Sequence, residues 1–117
     1  MTDNLAQLAI DTALDKKAYD ITAVDVSKKS DICDVHVICS TSNNRQSVAV
    51  ANAIEEQLKT NMQQRPLAVE GKDLGEWIAL DYGSMFIHIF LDELRKDYAI
   101  EDIWKTSSKE SSTIEDK

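Results

Sequence analysis

Glycine and proline are scarce in this chain. Its 117 residues hold three glycines, Gly71, Gly75 and Gly83, and one proline, Pro66. Three glycines at these positions cannot build a G-x-x-x-x-G-K-[ST] loop or a G-x-G-x-x-G turn, so the usual phosphate cradles are excluded. Cysteine is scarce as well. Cys33 and Cys39 lie six apart in what reads as one strand, about 20 Å along an extended chain, and cannot pair within it. The N-terminus MTDNLAQLAI has no basic stretch followed by an apolar core, so it is not a secretory signal. Free thiols without an export signal point to a reducing cytoplasm. Apolar runs long enough to span a bilayer are also lacking; MFIHIFL is far too short and contains His88.

Positive charge is in deficit. Lys and Arg number 13 against 21 Asp and Glu, a net charge of −8. Nucleic-acid affinity comes largely from cations displacing phosphate counterions, so direct nucleic-acid readout is disfavoured and a basic protein surface is the better match. Metal-site spacing is missing too: Cys33, Cys39, His36 and His88 form no C-x-x-C or H-x-x-x-H pair, and His36 points away from both cysteines on an alternating strand. No Asp-x-Asp pair exists to hold two metals; Asp31 and Asp34 flank a turn, and Asp92-Glu93 opens a helix. Ser84 has no G-x-S-x-G elbow around it. Asp81 and His88 share a face and could couple by hydrogen bonding, but a packed, satisfied histidine explains that as well. The loop STSNNR suits a helix cap better than an anion site.

What the chain does contain is a foldable pattern. Apolar residues make up 43% and charged residues 29%, enough for one domain with a real core. Leu5, Ala6, Ala9, Ile10, Ala13 and Leu14 make one apolar stripe, predicting a helix over 3–19. ITAVDV and CDVHVICS read as two strands over 21–40 separated by a polar turn. A helix at 44–62 follows, with Asn43 and Gln46 as a variant capping box and Ala51, Ile54, Leu58 and Met62 as its stripe. Pro66 marks the return to an extended LAVEG.

EWIALDYGSMFIHIF reads as a β-hairpin turning at Tyr82-Gly83-Ser84. The loop is Gly83-Ser84, with Tyr82 facing Met85, or Tyr82-Gly83, with Asp81 facing Ser84. Both registers put Trp77, Ala79, Asp81, Phe86, His88 and Phe90 on one side and Ile78, Leu80, Met85, Ile87 and Ile89 on the other. The second set is a core. The first mixes aromatics with an acid and a histidine, as binding surfaces do, although helices covering both faces would make Trp77 core as well. Residues 92–104 suggest a last helix, and 105–117 a flexible polar tail, leaving 1–104 as a single domain.

These segments, in this order, resemble the ribosomal silencing factor (RsfS, Iojap) family. VDVSKKSDICDVHVICSTSNNRQ is similar to the family's strand–turn–strand run, with Thr41 where a loop glycine is usual. LAVEG followed by EWIALDYGSMFIHIF resembles its V-E-G and W-x-x-x-D-Y/L-G-D-V-x-V-H pattern, with Ser84 in place of the usual Asp. RKDYAIEDIW matches its R-x-x-Y-x-L-E-x-L-W ending at Arg95, Tyr98, Glu101 and Trp104. The resemblance implies an α/β (α+β) fold: a mixed sheet of about five strands flanked by helices, with a nucleotidyltransferase-like outline but no catalytic acids. It implies a non-enzymatic, cofactor-free protein that binds the large ribosomal subunit through ribosomal protein L-fourteen and sterically blocks small-subunit joining when nutrients are short. It also implies a homodimer. Glu70, Trp77, Asp81, Tyr82, Gly83, Ser84 and His88 are the expected partner-binding residues, with Trp77 and Tyr82 as anchors and Tyr82 reaching around the hairpin edge. A dimerising adaptor for a non-ribosomal partner and a residual nucleotidyltransferase are the competing readings.

Overall fold

A computed structural model of the protein describes residues 2–25, 35–98 and 112–113. In chain order these form α1 (Thr2–Asp15), β1 (Tyr19–Asp25), β2 (Val35–Thr41), α2 (Asn44–Met62), β3 (Ala68–Glu70), β4 (Trp77–Asp81), β5 (Met85–Leu91), α3 (Asp92–Tyr98) and β6 (Ser112–Thr113). The sheet order is β3-β4-β5-β2-β1-β6. Neighbours are antiparallel except β2 and β5, which run parallel at the centre. This is the mixed α+β sheet expected from the sequence, with β6 added beside β1 inside the segment expected to be a tail. The rest of that tail, residues 99–104 of the expected last helix, and Cys33 lie outside the described residues.

The helices form where the apolar stripes are, but they stop without glycine. α1 buries Leu5, Ala6, Ala9 and Ala13, while Leu14 in its last turn stays exposed. It ends four residues before the expected boundary because Lys17 turns left-handed (φ 73), with Lys17 N–H donating to Leu14 O and Ala18 N–H to Ala13 O. α2 begins and ends where its pattern predicts. The Gln46 amide donates to Asn43 Oδ1 (2.8 Å), and the Gln46 side chain accepts from Ser42 N–H (2.7 Å). Ala51, Ile54 and Leu58 are buried, and Met62 packs at the margin. Thr41, where a loop glycine is usual, simply ends β2 in extended conformation. Its buried hydroxyl meets Ser47 Oγ (2.6 Å) and donates to Phe90 O (3.3 Å).

The strands divide as their alternation requires. Val35, Val37, Cys39, Ile78, Leu80, Met85, Ile87 and Ile89 face α1 and α2 and form the main core. Val24, Ile38 and Phe90 make a smaller buried cluster on the opposite face, with Phe86 beside it. Arg95 ties α3 to that face: its guanidinium donates to Asp20 O, Ser40 Oγ and Thr22 Oγ1. Tyr19 adds a hydroxyl donated to Asp92 (2.6 Å).

Two glycines with positive φ sit in different surroundings. A Cβ on Gly71 (φ +91) would lie 2.0 Å from the Trp77 carbonyl oxygen, whereas one on Gly83 (φ +83) would meet only Leu67 Cδ1 at 3.5 Å. Gly83→Ala is expected to cost the backbone penalty alone, about 1–2 kcal/mol. Gly71→Ala adds a clash with backbone and is expected to cost about 3 kcal/mol or more. Chemical denaturation of both variants checks the order, and equal losses would show that the Gly71 contact relaxes away.

Candidate functional site

The hairpin takes the first of its two possible registers. Tyr82 N–H donates to Met85 O (2.8 Å), and Asp81 opposes Phe86, Ala79 opposes His88, and Trp77 opposes Phe90. Residues directly opposite share a face, so Trp77, Ala79, Asp81, Phe86, His88 and Phe90 lie together on the side away from α1 and α2. Strand β3 extends that face by pairing Ala68 with Asp81 and Glu70 with Ala79. Strand β2 extends it on the other side by pairing His36 with Phe86 and Ile38 with His88.

The face is graded from open edge to buried centre. Trp77 is 42% exposed and Glu70 is exposed; Asp81 and Phe86 are half-buried; His88 (5%) and Phe90 (0%) are buried. Trp77 leans on Phe90 with ring centroids 4.9 Å apart. Behind it the rings stack: His88 on Phe86 at 5.0 Å and 10°, and His88 on His36 at 5.2 Å and 24°. An indole, two imidazoles and two phenyl rings thus form one aromatic layer, with the indole at its exposed margin.

A directional hydrogen-bond chain runs through that layer. The Trp77 indole N–H, which can only donate, reaches His88 Nδ1 at 3.3 Å. His88 Nδ1 must therefore be unprotonated, and in the neutral ring the proton sits on Nε2. That nitrogen lies 3.1 Å from His36 Nδ1 and donates to it. Both rings are held neutral. Burial pushes His36 down to about 4; burial and then the neighbouring His36 push His88 down to about 3. His88 therefore acts beneath the surface, holding the indole from behind.

The other expected site residues divide. Asp81 Oδ1 accepts the Gly83 N–H (2.8 Å), so this carboxylate also shapes the turn. Gly83 and Ser84 sit at the half-buried tip, where Ser84 O accepts from Val35 N–H (3.2 Å). Tyr82 does not reach around the edge as a second anchor. Its partner in the ladder is a core residue, and alternation carries its ring into the main core, where it is 6% exposed. Its hydroxyl is buried without a hydrogen-bond partner among the described residues and is pushed up to about 12, by burial first and by Glu55 second. His36, which the sequence reading left without a role, completes the aromatic layer. Its alternation with Val35 and Val37 was visible, but only the parallel β2–β5 pairing brings it to His88. Among the described residues, no group of three or more His, Cys, Asp or Glu is placed to hold a metal ion. No described helix is long and apolar enough to cross a membrane.

Comparison with known proteins gives a consistent picture. The model of the family described as "ribosomal silencing factor during starvation" matches residues 1–117. The ribosomal silencing factor of Chromobacterium violaceum is 32% identical over 100 residues, covering 86% of this chain and 81% of that one. A mouse protein named "mitochondrial assembly of ribosomal large subunit protein 1" is 32% identical over 95 residues, covering 80% of this chain and 42% of its own length. A crystal structure of a Chromobacterium violaceum protein superposes with a TM-score of 0.85 at 31% identity, covering 89% of this chain and 86% of that one.

The neutral histidines make stability depend on pH with a defined sign. The unfolded chain protonates both rings below about 6.5, whereas the folded protein keeps them neutral down to about 4 and 3. Their contribution is fully present above pH 6.5 and is lost as pH falls through that window. Urea midpoints are expected to drop between pH 7 and pH 5, and to drop less in His88→Gln. A fall of the same size in that variant would assign the acid sensitivity to other groups.

Proposed function

This chain belongs to the ribosomal silencing factor family, and from that premise we propose that it represses translation by docking on the large ribosomal subunit and obstructing the small one. The observation that carries the reading is Trp77. It is a large aromatic, 42% exposed, braced from behind by Phe90 and His88 and flanked by Glu70 and Asp81 across the same face. Exposed aromatics that are already ordered make efficient binding anchors, because little conformational freedom is left to lose on association. The carboxylates give the site the sign that suits a basic partner, and the net charge of −8 adds long-range steering toward it.

Ribosomal protein L-fourteen is the proposed contact on the large subunit. A domain with a radius of gyration of 13.0 Å seated on the joining face is bulky enough to act by occupancy alone. The role is regulatory and non-catalytic, and the proposed setting is the bacterial-type cytoplasm under nutrient limitation. A homodimer that used the Trp77 face would compete with docking, which makes the monomer the proposed ribosome-binding form. The name of the mouse relative, which refers to large-subunit assembly, supports a large-subunit partner.

The test is co-sedimentation with purified large subunits across a salt series. Trp77→Ala is expected to weaken binding by about 2 kcal/mol or more, as loss of a hot-spot aromatic does. Glu70→Lys is expected to slow association and flatten its salt dependence, since a rim charge acts mainly on the encounter. Unchanged sedimentation of Trp77→Ala would overturn the assignment of this face.

A further inference from the structure

The loop that delivers Trp77, residues 71–76, has almost nothing holding it by burial. Lys72 is half-buried, Asp73 and Glu76 are exposed, and Leu74 points outward at 66% exposure; of its residues only Gly75, without a side chain, is buried. A groove of about 500 Å³ opens between this loop and α2, lined by Asn44, Arg45, Val48, Asn52, Asp73 and Leu74 among others. The loop therefore buries no side chain against α2 and packs on it only where Gly75 lies against the start of the helix, a Cβ there coming within 2.9 Å of Asn44 O. Such segments sit at the low end of local stability unless something fastens them.

Two polar clamps do so. At one end, the Lys72 ammonium donates to Asn52 Oδ1 (2.7 Å) and pairs with Glu55 (2.7 Å), two α2 residues three apart and on one face of the helix. Both members of the ion pair are about two-thirds shielded from solvent, a setting in which charge-assisted bonds hold geometry better than at an open surface. At the other end, Asn44 in the first turn of α2 donates through Nδ2 to Leu74 O (2.5 Å). Inside the loop, Gly75 N–H donates to Gly71 O (2.9 Å), and Gly71 abuts the Trp77 carbonyl. Just beyond it, Leu91 N–H donates to Glu76 O (2.9 Å), where the β4–β5 ladder begins.

We infer that Lys72 and Asn44 are positioning residues for Trp77, clamping the loop to α2 so that the indole is presented in one orientation before the partner arrives. The inference rests on Trp77 being a docking residue and explains how its backbone is held, as His88 holds its ring. A residue anchored this way binds with less ordering cost, and releasing it costs affinity without removing any contact to the partner.

The experiment uses the full chain with Trp104→Phe, leaving Trp77 as the single indole. Asn44→Ala, Lys72→Ala and Lys72→Arg are made on it, and Trp77→Ala on the unmodified chain. Acrylamide quenching and fluorescence anisotropy of the free proteins report indole mobility; sedimentation with large subunits reports binding. Lys72→Ala and Asn44→Ala are expected to speed quenching, lower anisotropy and weaken binding by about threefold to tenfold, the effect of having to order one side chain on association. Lys72→Arg is expected to restore both readouts, which a general loss of stability would not allow. The inference is overturned if quenching and anisotropy are unchanged in both clamp variants. It is also overturned if the indole is loosened while binding stays intact. Full sedimentation of Trp77→Ala would overturn the docking reading itself and the binding half of this inference with it. If Lys72→Ala fails to fold, Asn44→Ala at the opposite end of the loop makes the same test.

Discussion

The two-residue turn at Gly83-Ser84 sets the register of β4 against β5, and the gathering of Trp77, Asp81, Phe86, His88 and Phe90 on one face follows from it. Asp81 opposes Phe86 and Trp77 opposes Phe90. A slip of one residue would exchange the faces. Ile78 and Leu80 would meet solvent, and Trp77 and Asp81 would enter the core. Strong apolar selection on one face thus protects the register of the other. Five wholly buried side chains on the helix side fix where a half-exposed indole and two carboxylates appear on the far side. The turn is stabilised locally as well, since Asp81 accepts the Gly83 amide.

The same constraint explains which parts were legible in advance. The hairpin, its two faces and α2 with its Asn43 cap could all be read, because each is encoded within about twenty consecutive residues by period and turn chemistry; whether Trp77 faces solvent could not, since that depends on which face the helices cover. The parallel β2–β5 pairing could not. It joins segments fifty residues apart and leaves no local mark, so the meeting of His36 with His88 was invisible. The end of α1 was missed for a different reason. Helices commonly stop on a left-handed glycine, but here Lys17 and Gln63 adopt that conformation, while the scarce glycines serve the loop and turn beside Trp77. Tyr82 was misjudged because a tip residue was given freedom that its ladder partner Met85 denies it.

Arg95 shows how a motif residue can serve the fold. It is buried, carries a charge, and spends its guanidinium on a carbonyl and two hydroxyls of β1 and β2. A buried cation is costly unless its donors are met. Once met, it pins α3 across the centre of the sheet. The clamp at Lys72 works on the same principle nearer the surface. In both places a long basic side chain fastens one segment to another through polar contacts.

The neutrality of the buried imidazoles has an electrostatic consequence. Were His88 charged at neutral pH, the aromatic layer would carry a cation beside the indole, 6.3 Å from ring centre to ring centre, and offset Glu70 and Asp81. Burial prevents this, so no imidazolium offsets the carboxylates near the indole. Neutral His88 also keeps a free lone pair on Nδ1, which the indole N–H requires. One condition, burial of an uncharged ring, thus serves both the orientation of the indole and the negative sign of its surroundings. The proposed docking on a basic partner through the indole needs both at once. Here they are supplied by stacking His88 between Phe86 and Phe90, with His36 against Phe86 and His88.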